Sequence, residues 1–206
     1  MTPKCLVIFV GPSGYGKSTL VDALVKRRPY CSLKIMACTS RAQRETDEFD
    51  SEYGEFNVPA TNFAAEDMFE FTRFGSNLYG YKFKAFRNFV NTDSLTTAYT
   101  VMSSKALMDI TPAAWQRLKV MGVESCVCVY LHSLSSANLH YRLSNRKPVP
   151  IDLAFRFADA LEYEAAEFKC PEKMRVLPIN LSSASNTPGD LEFVRVCDTI
   201  ENFIFC

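Results

Sequence analysis

The stretch Gly11-Pro12-Ser13-Gly14-Tyr15-Gly16-Lys17-Ser18-Thr19, directly behind the apolar run Leu6 to Val10, constrains this chain more than any other. It fits G-x-x-x-x-G-K-[ST] and stands where that pattern works, after a strand-like segment and before a helix-like one. A polyphosphate concentrates negative charge. Glycines let successive backbone N–H groups point into one concavity, and the N-terminus of the following helix adds its partial positive charge. Lys17 can then reach the β- and γ-phosphates, Ser18 can give an oxygen to Mg2+, and Thr19 suits the α-phosphate. The plain alternative is a glycine-rich turn with no ligand. The strand and helix on either side favour a nucleotide site built on Gly11, Ser13, Gly14, Gly16, Lys17, Ser18 and Thr19. The motif alone does not separate a kinase from a GTPase or an ATP-driven motor.

Strand and helix signals alternate along the rest of the chain, which predicts an α/β fold with a parallel sheet flanked by helices. After Lys4 to Val10, strand signals recur at about 97–102, 123–131 and 174–179. Helical patterns lie at 17–27, with Leu20, Val21, Leu24 and Val25 on one face, and at about 104–119, 136–145 and 151–168. A last helix is predicted from Thr187-Pro188-Gly189-Asp190, capped by the threonine, with Leu191, Val194, Ile200 and Phe203 turned inward. Residues 38 to 90 are polar and aromatic, with short strand-like pieces, and read as an insertion on the core.

With 206 residues and 48% hydrophobic content, one domain can bury a sizeable core. Lys+Arg and Asp+Glu each number 23, so no global field favours nucleic acid or an anionic membrane. No apolar run approaches the roughly 20 residues of a membrane helix. The eight cysteines are scattered without a C-x-x-C pair, as reduced thiols of a cytosolic protein would be. These features predict a cytoplasmic protein whose partners are small nucleotides. His132 and His140 lack metal-ligand spacing to cysteines and read as packing or surface residues, and Trp115 reads as a partly buried anchor.

Three further stretches, "CTSRAQRETDEFDSEYGEF", "FEFTRFGSNLYGY" and "YRLSNRKPVPIDLAFRFADALEYEAAEF", follow the phosphate loop in order. Together with "GPSGYGKSTL" they resemble guanylate kinases, which move the γ-phosphoryl of ATP to GMP or dGMP in purine nucleotide metabolism. The resemblance implies a P-loop NTPase core over about 1–37, 91–140 and 157–206, a monophosphate-binding insertion over about 38–90 and a lid over about 141–156. It implies ATP as phosphoryl donor, with Mg2+. Arg41 and Arg44 would hold the acceptor phosphate, a role that fits guanidinium forks. Tyr53 and Tyr79 would bond the same phosphate, and Glu70 would accept from guanine N1–H and its exocyclic amine. Arg142, Arg146 and Arg156 resemble lid arginines that fold over the phosphates during transfer, and Asn180 resembles an asparagine near the adenine. Singly, these arginines and tyrosines read as a solvated surface and hydrophobic filler; their shared order behind the loop favours an acceptor site.

Four positions depart from the family pattern. Ala37 stands where a hydroxyl bonding guanine O6 is usual, and Tyr81 stands where a serine or threonine helps with the base; Tyr81 either stacks on the base or fills the pocket. The strand that usually carries two aspartates reads Thr100-Val101-Met102-Ser103, with Asp93 and Asp109 the nearest carboxylates and neither a clear replacement. The lid carries the stiff Lys147-Pro148-Val149-Pro150. These departures leave two alternatives beside the guanylate kinase: a catalytically weak binding module on the same fold, engaging a protein partner, or a kinase for another nucleoside or deoxynucleoside monophosphate.

Overall fold

The computed structural model describes residues 5–43, 56–63, 68–74, 76–82, 105–111, 115, 126–145, 153–165, 175–181 and 190–205. Arg44, Tyr53, Asp93, Thr100 to Ser103, Arg146, the Lys147 to Pro150 loop, Thr187 and the strand expected at 97–102 lie outside them.

Five strands form a parallel sheet in the order β2-β6-β1-β7-β8. They are β1 (Cys5–Val10), β2 (Ser32–Ile35), β6 (Lys105–Ile110), β7 (Cys126–His132) and β8 (Arg175–Asn180). Alternating side chains enter opposite cores, as the two-residue strand period requires. Leu6, Ile8 and Val10 of β1 join Ala106, Met108, Ile110, Cys126 and Cys128 in one cluster. Val7 and Phe9 join Leu107, Val127, Val129 and Leu131 in the other. A strand with both faces buried reads as a continuous apolar run, which is why Leu6 to Val10 was so plain in the sequence.

Helix α1 (Lys17–Arg27) packs Leu20, Val21 and Leu24 into the second cluster. Beside it lie α2 (Ser136–Ser144), α3 (Leu153–Ala165) and α4 (Leu191–Phe205). The last helix turns Ile200 and Phe203 to the core as expected and differs in its cap and in Leu191. Asp190 caps it, its Oδ1 accepting the Glu192 N–H at 2.9 Å. Its buried residues are Phe193, Cys197, Ile200 and Ile204, while Leu191 is 71% exposed. Both edges of the expected lid, at 141 and 156, fall within α2 and α3. Trp115 is fully buried rather than partly so.

The larger correction concerns β6. Residues 105–110 were read as the start of a helix, because Ala, Leu and Met are good helix formers. Pairing between β2 and β1 overrides that preference: Leu33 lies opposite Ala106, and Phe9 opposite Asp109. The strand therefore ends on Asp109-Ile110, and the aspartate shares a face with Leu107, toward the core that α1 covers.

A second, antiparallel sheet has the order β3-β5-β4, with β3 (Cys38–Thr39), β4 (Met68–Phe74) and β5 (Asn77–Lys82). Its own small core is Cys38, Val58, Phe63, Met68 and Leu78. Among the described residues, no helix is long and apolar enough to cross a membrane, and no disulfide joins the cysteines.

Candidate active site

The loop between β1 and α1 folds into a cradle because two of its glycines adopt conformations that side chains resist. Gly14 has φ +93° and Gly16 φ +82°. A Cβ on Gly14 would also meet Leu139 Cδ1 of α2 at 2.7 Å, so that leucine would have to move to admit one. Gly16 occupies the N-cap of α1, leaving the first-turn N–H groups directed at the cradle.

Lys17 spans this cradle, its Nζ donating to the carbonyls of Gly11 at 2.6 Å and Pro12 at 2.9 Å. Ser18, one residue on, donates its hydroxyl proton to Asp109 Oδ2 at 2.6 Å. The first turn of α1 and the end of β6 are thus joined, and a carboxylate stands beside the serine that the loop motif offers to a metal. Asp109, next to last in β6, is the carboxylate that the structure sets beside Ser18. Thr19 follows half-buried in the same turn.

Helix α3 reaches the loop from another side. Arg156 donates through Nη1 to Ser13 Oγ at 2.5 Å. Asp159, one turn further on the same face, has its pKa raised by burial, an effect opposed by the positive charges of Lys17 and Arg156. Arg142 lies half-buried in α2; burial lowers its pKa, and Glu192 of α4 and Tyr15 of the loop oppose that. Asn180 is exposed at the end of β8, in register with His132.

The second sheet assembles the other candidates. Pairing of β3 with β5 sets Thr39 opposite Tyr79, and Arg41 follows two residues after Thr39. The guanidinium of Arg41 lies 5.3 Å from the ring centroid of Phe56 and donates to the Ala42 carbonyl at 2.8 Å. The backbone around it is pinned by Asn57 N–H to the Arg41 carbonyl at 3.1 Å and Val58 N–H to the Thr39 carbonyl at 3.0 Å. Glu70 lies in β4 at the irregularity between Met68 and Phe71, beside the β5 segment Gly80 to Lys82; its side chain is outside the described residues. Tyr81 is 5% exposed within the core that also takes the half-buried Ala37, and its hydroxyl donates to the backbone carbonyl of Asp109. Two departures from the family pattern therefore share one core.

The family model for guanylate kinases matches residues 3–168, most of the chain. The chain belongs to the guanylate kinase family. The guanylate kinase of Synechococcus sp. is 36% identical over 78 residues, 36% of this chain and 42% of that protein. That of Thermobifida fusca is 37% identical over 82 residues, 38% of this chain and 40% of the relative. The chain thus spans about two fifths of the length of the curated relatives it matches. A crystal structure of guanylate kinase from Anaplasma phagocytophilum superposes with a TM-score of 0.60 at 16% identity, covering 98% of this chain and 84% of that one. This likeness shows the shared P-loop fold.

The structure brings three further residues to the candidate site: Asp109, named in the sequence only as a nearby carboxylate, and Asp159 and Phe56. Asp109 carried a signal, a lone carboxylate closing an apolar run, but the run was assigned to a helix. Asp159 was visible three residues beyond Arg156. Phe56 gave no signal, because its role arises only when the chain folds it under Arg41. The oxygens of Ser18 and Asp109 are hard donors of the kind Mg2+ prefers, and one carboxylate with one hydroxyl leaves coordination positions for phosphate and water. The residues present therefore fit the metal.

Proposed function

We propose that this protein transfers the γ-phosphoryl group of ATP to GMP or dGMP. The observation that carries the reading is the Ser18–Asp109 bond of 2.6 Å beside a lysine-spanned phosphate loop. Phosphoryl transfer asks little covalent chemistry of the protein; positioning and charge neutralisation supply most of the acceleration. The donor triphosphate lies along the loop N–H groups, and Lys17 exchanges its bonds to Gly11 and Pro12 for phosphate oxygens. Because the Ser18 hydroxyl donates its hydrogen bond to Asp109, its oxygen lone pairs are left free to accept or to hold a cation. Ser18 and Asp109 would hold Mg2+ there, and the bound ion would offset phosphate charge.

On the acceptor side, Arg41, held over Phe56, and Tyr79 take the monophosphate, with Arg44 and Tyr53 completing the set. Glu70 reads the guanine N1–H and amino group. Arg156, already at Ser13, together with Arg142 and Arg146, covers the moving phosphoryl and excludes water. Residues 38–90 act as the monophosphate-binding insertion and 141–156 as the lid. Tyr81 serves as a wall, since its hydroxyl is engaged by Asp109. Asn180 attends the adenine.

The test is ADP formation from Mg-ATP with GMP, dGMP, AMP, CMP, UMP and dTMP in turn, with Lys17→Ala and Glu70→Ala alongside. Turnover confined to the guanine acceptors, and lost in both variants, supports the reading. ATP binding without turnover on any acceptor would leave a binding module instead.

A further inference from the structure

Tyr15 stands between Gly14 and Gly16, the two loop residues with positive φ and hence the most permissive backbone of the loop. Its side chain is nevertheless 1% exposed. The hydroxyl donates to Glu164 Oε1 of α3 at 2.6 Å, and the same oxygen accepts the Ser133 N–H at 2.8 Å, just past the end of β7. Burial, and after it the Glu164 carboxylate, push the phenol pKa up, so the hydroxyl keeps its proton and remains a donor. The ring meets Tyr163 edge-on at 6.3 Å, and the Tyr163 hydroxyl reaches the Val10 carbonyl at 3.4 Å. Arg156 holds Ser13 from the same helix. Helix α3 therefore touches the end of β1 at Val10 and the loop at Ser13 and Tyr15.

We propose that Tyr15 and Glu164 form a positioning pair that sets the shape of the phosphate cradle and ties it to the helix carrying Arg156. A buried phenol hydroxyl needs an acceptor, and meeting Glu164 fixes the Tyr15 Cα between two flexible residues. The N–H groups on either side are fixed with it. Neither side chain touches the nucleotide; both act through the loop backbone. One carboxylate oxygen thus sets the donor cradle, the exit of β7 and the position of α3 together.

The inference rests on the loop being an ATP site, and ATP binding measured by titration calorimetry on the full chain tests it without requiring turnover. Tyr15→Phe and Glu164→Ala should each weaken ATP binding about tenfold. The double variant should be no weaker than either single one, because both remove the same bond. Glu164→Gln, which keeps an oxygen in place, should recover most of the affinity, and KM for the acceptor should hold. Glu164 is exposed, so its alanine variant carries the test if Tyr15→Phe melts early. Singles within about twofold of the parent, additive losses in the double variant, or an acceptor KM rising in step with the loss of ATP affinity would overturn the pair. A parent protein that binds no ATP overturns it as well. A parent that binds ATP yet phosphorylates no acceptor defeats the kinase reading alone.

Discussion

The donor half and the acceptor half of this molecule are built differently. The donor loop leaves a strand buried on both faces, and tertiary contacts from α1, α3 and β6 converge on it: Lys17 to Gly11 and Pro12, Ser18 to Asp109, Arg156 to Ser13 and Tyr15 to Glu164. The acceptor candidates instead stand on a three-stranded sheet whose core, among the described residues, is Cys38, Val58, Phe63, Met68 and Leu78, where Arg41 lies over the Phe56 ring and donates to the Ala42 carbonyl. A phosphate cradle must present several N–H groups at once and benefits from being set in advance. A site that accepts and releases a monophosphate can rest on a smaller core, whose local opening costs less.

If that contrast is right, the largest effects come from the donor side. Lys17→Ala should lower kcat about 10²- to 10³-fold, read as initial ADP formation at saturating acceptor. Asp109→Asn should raise the Mg2+ concentration for half-maximal rate about 10- to 100-fold while leaving KM for GMP near the parent value. An unchanged Mg2+ curve would separate Asp109 from the metal. Arg41→Ala should do the reverse, raising the acceptor KM about tenfold or more with ATP affinity held, since a charge-assisted contact to phosphate is lost.

Stability offers a sharper version of the comparison. Phe63→Ala should cost the small sheet about 3 kcal/mol, seen as faster amide exchange in β3 and β5, while ATP titration stays unchanged. Loss of ATP binding in that variant would mean the two halves are one cooperative unit. The smallest effect belongs to Asp159. Burial raises its folded pKa, so its favourable contribution is full below the unfolded pKa and lost as pH rises through the folded one. Asp159→Asn should therefore raise Tm at neutral pH, with the gain shrinking on acidification; a gain that grows in acid would reverse the assignment.

The donor half was also the more legible in the sequence, for a physical reason. Its loop and helix are contiguous, so the glycine positions, Lys17 and Ser18 announce themselves within nine residues. The buried strand before them needs no partner to be recognised. Asp109 was hidden because its strand is written in helix-forming residues and owes its extended form to two neighbours distant in the chain. The acceptor half could be named only through family resemblance: Thr39 and Tyr79 come together by pairing across about 40 residues of chain, and Phe56 meets Arg41 from 15 residues away, which no local pattern encodes. The face of α4 was legible in part: Ile200 is buried and Phe203 packs against the core as expected, whereas Leu191 is exposed and Phe193, Cys197 and Ile204 share the burial.

The measurement closest to the central claim is the joint yield of ADP and GDP from Mg-ATP and GMP, followed in one reaction mixture. The account predicts equal amounts of both, dependent on Mg2+ and abolished by Lys17→Ala. ADP released without GDP, or neither product despite bound ATP, would contradict it.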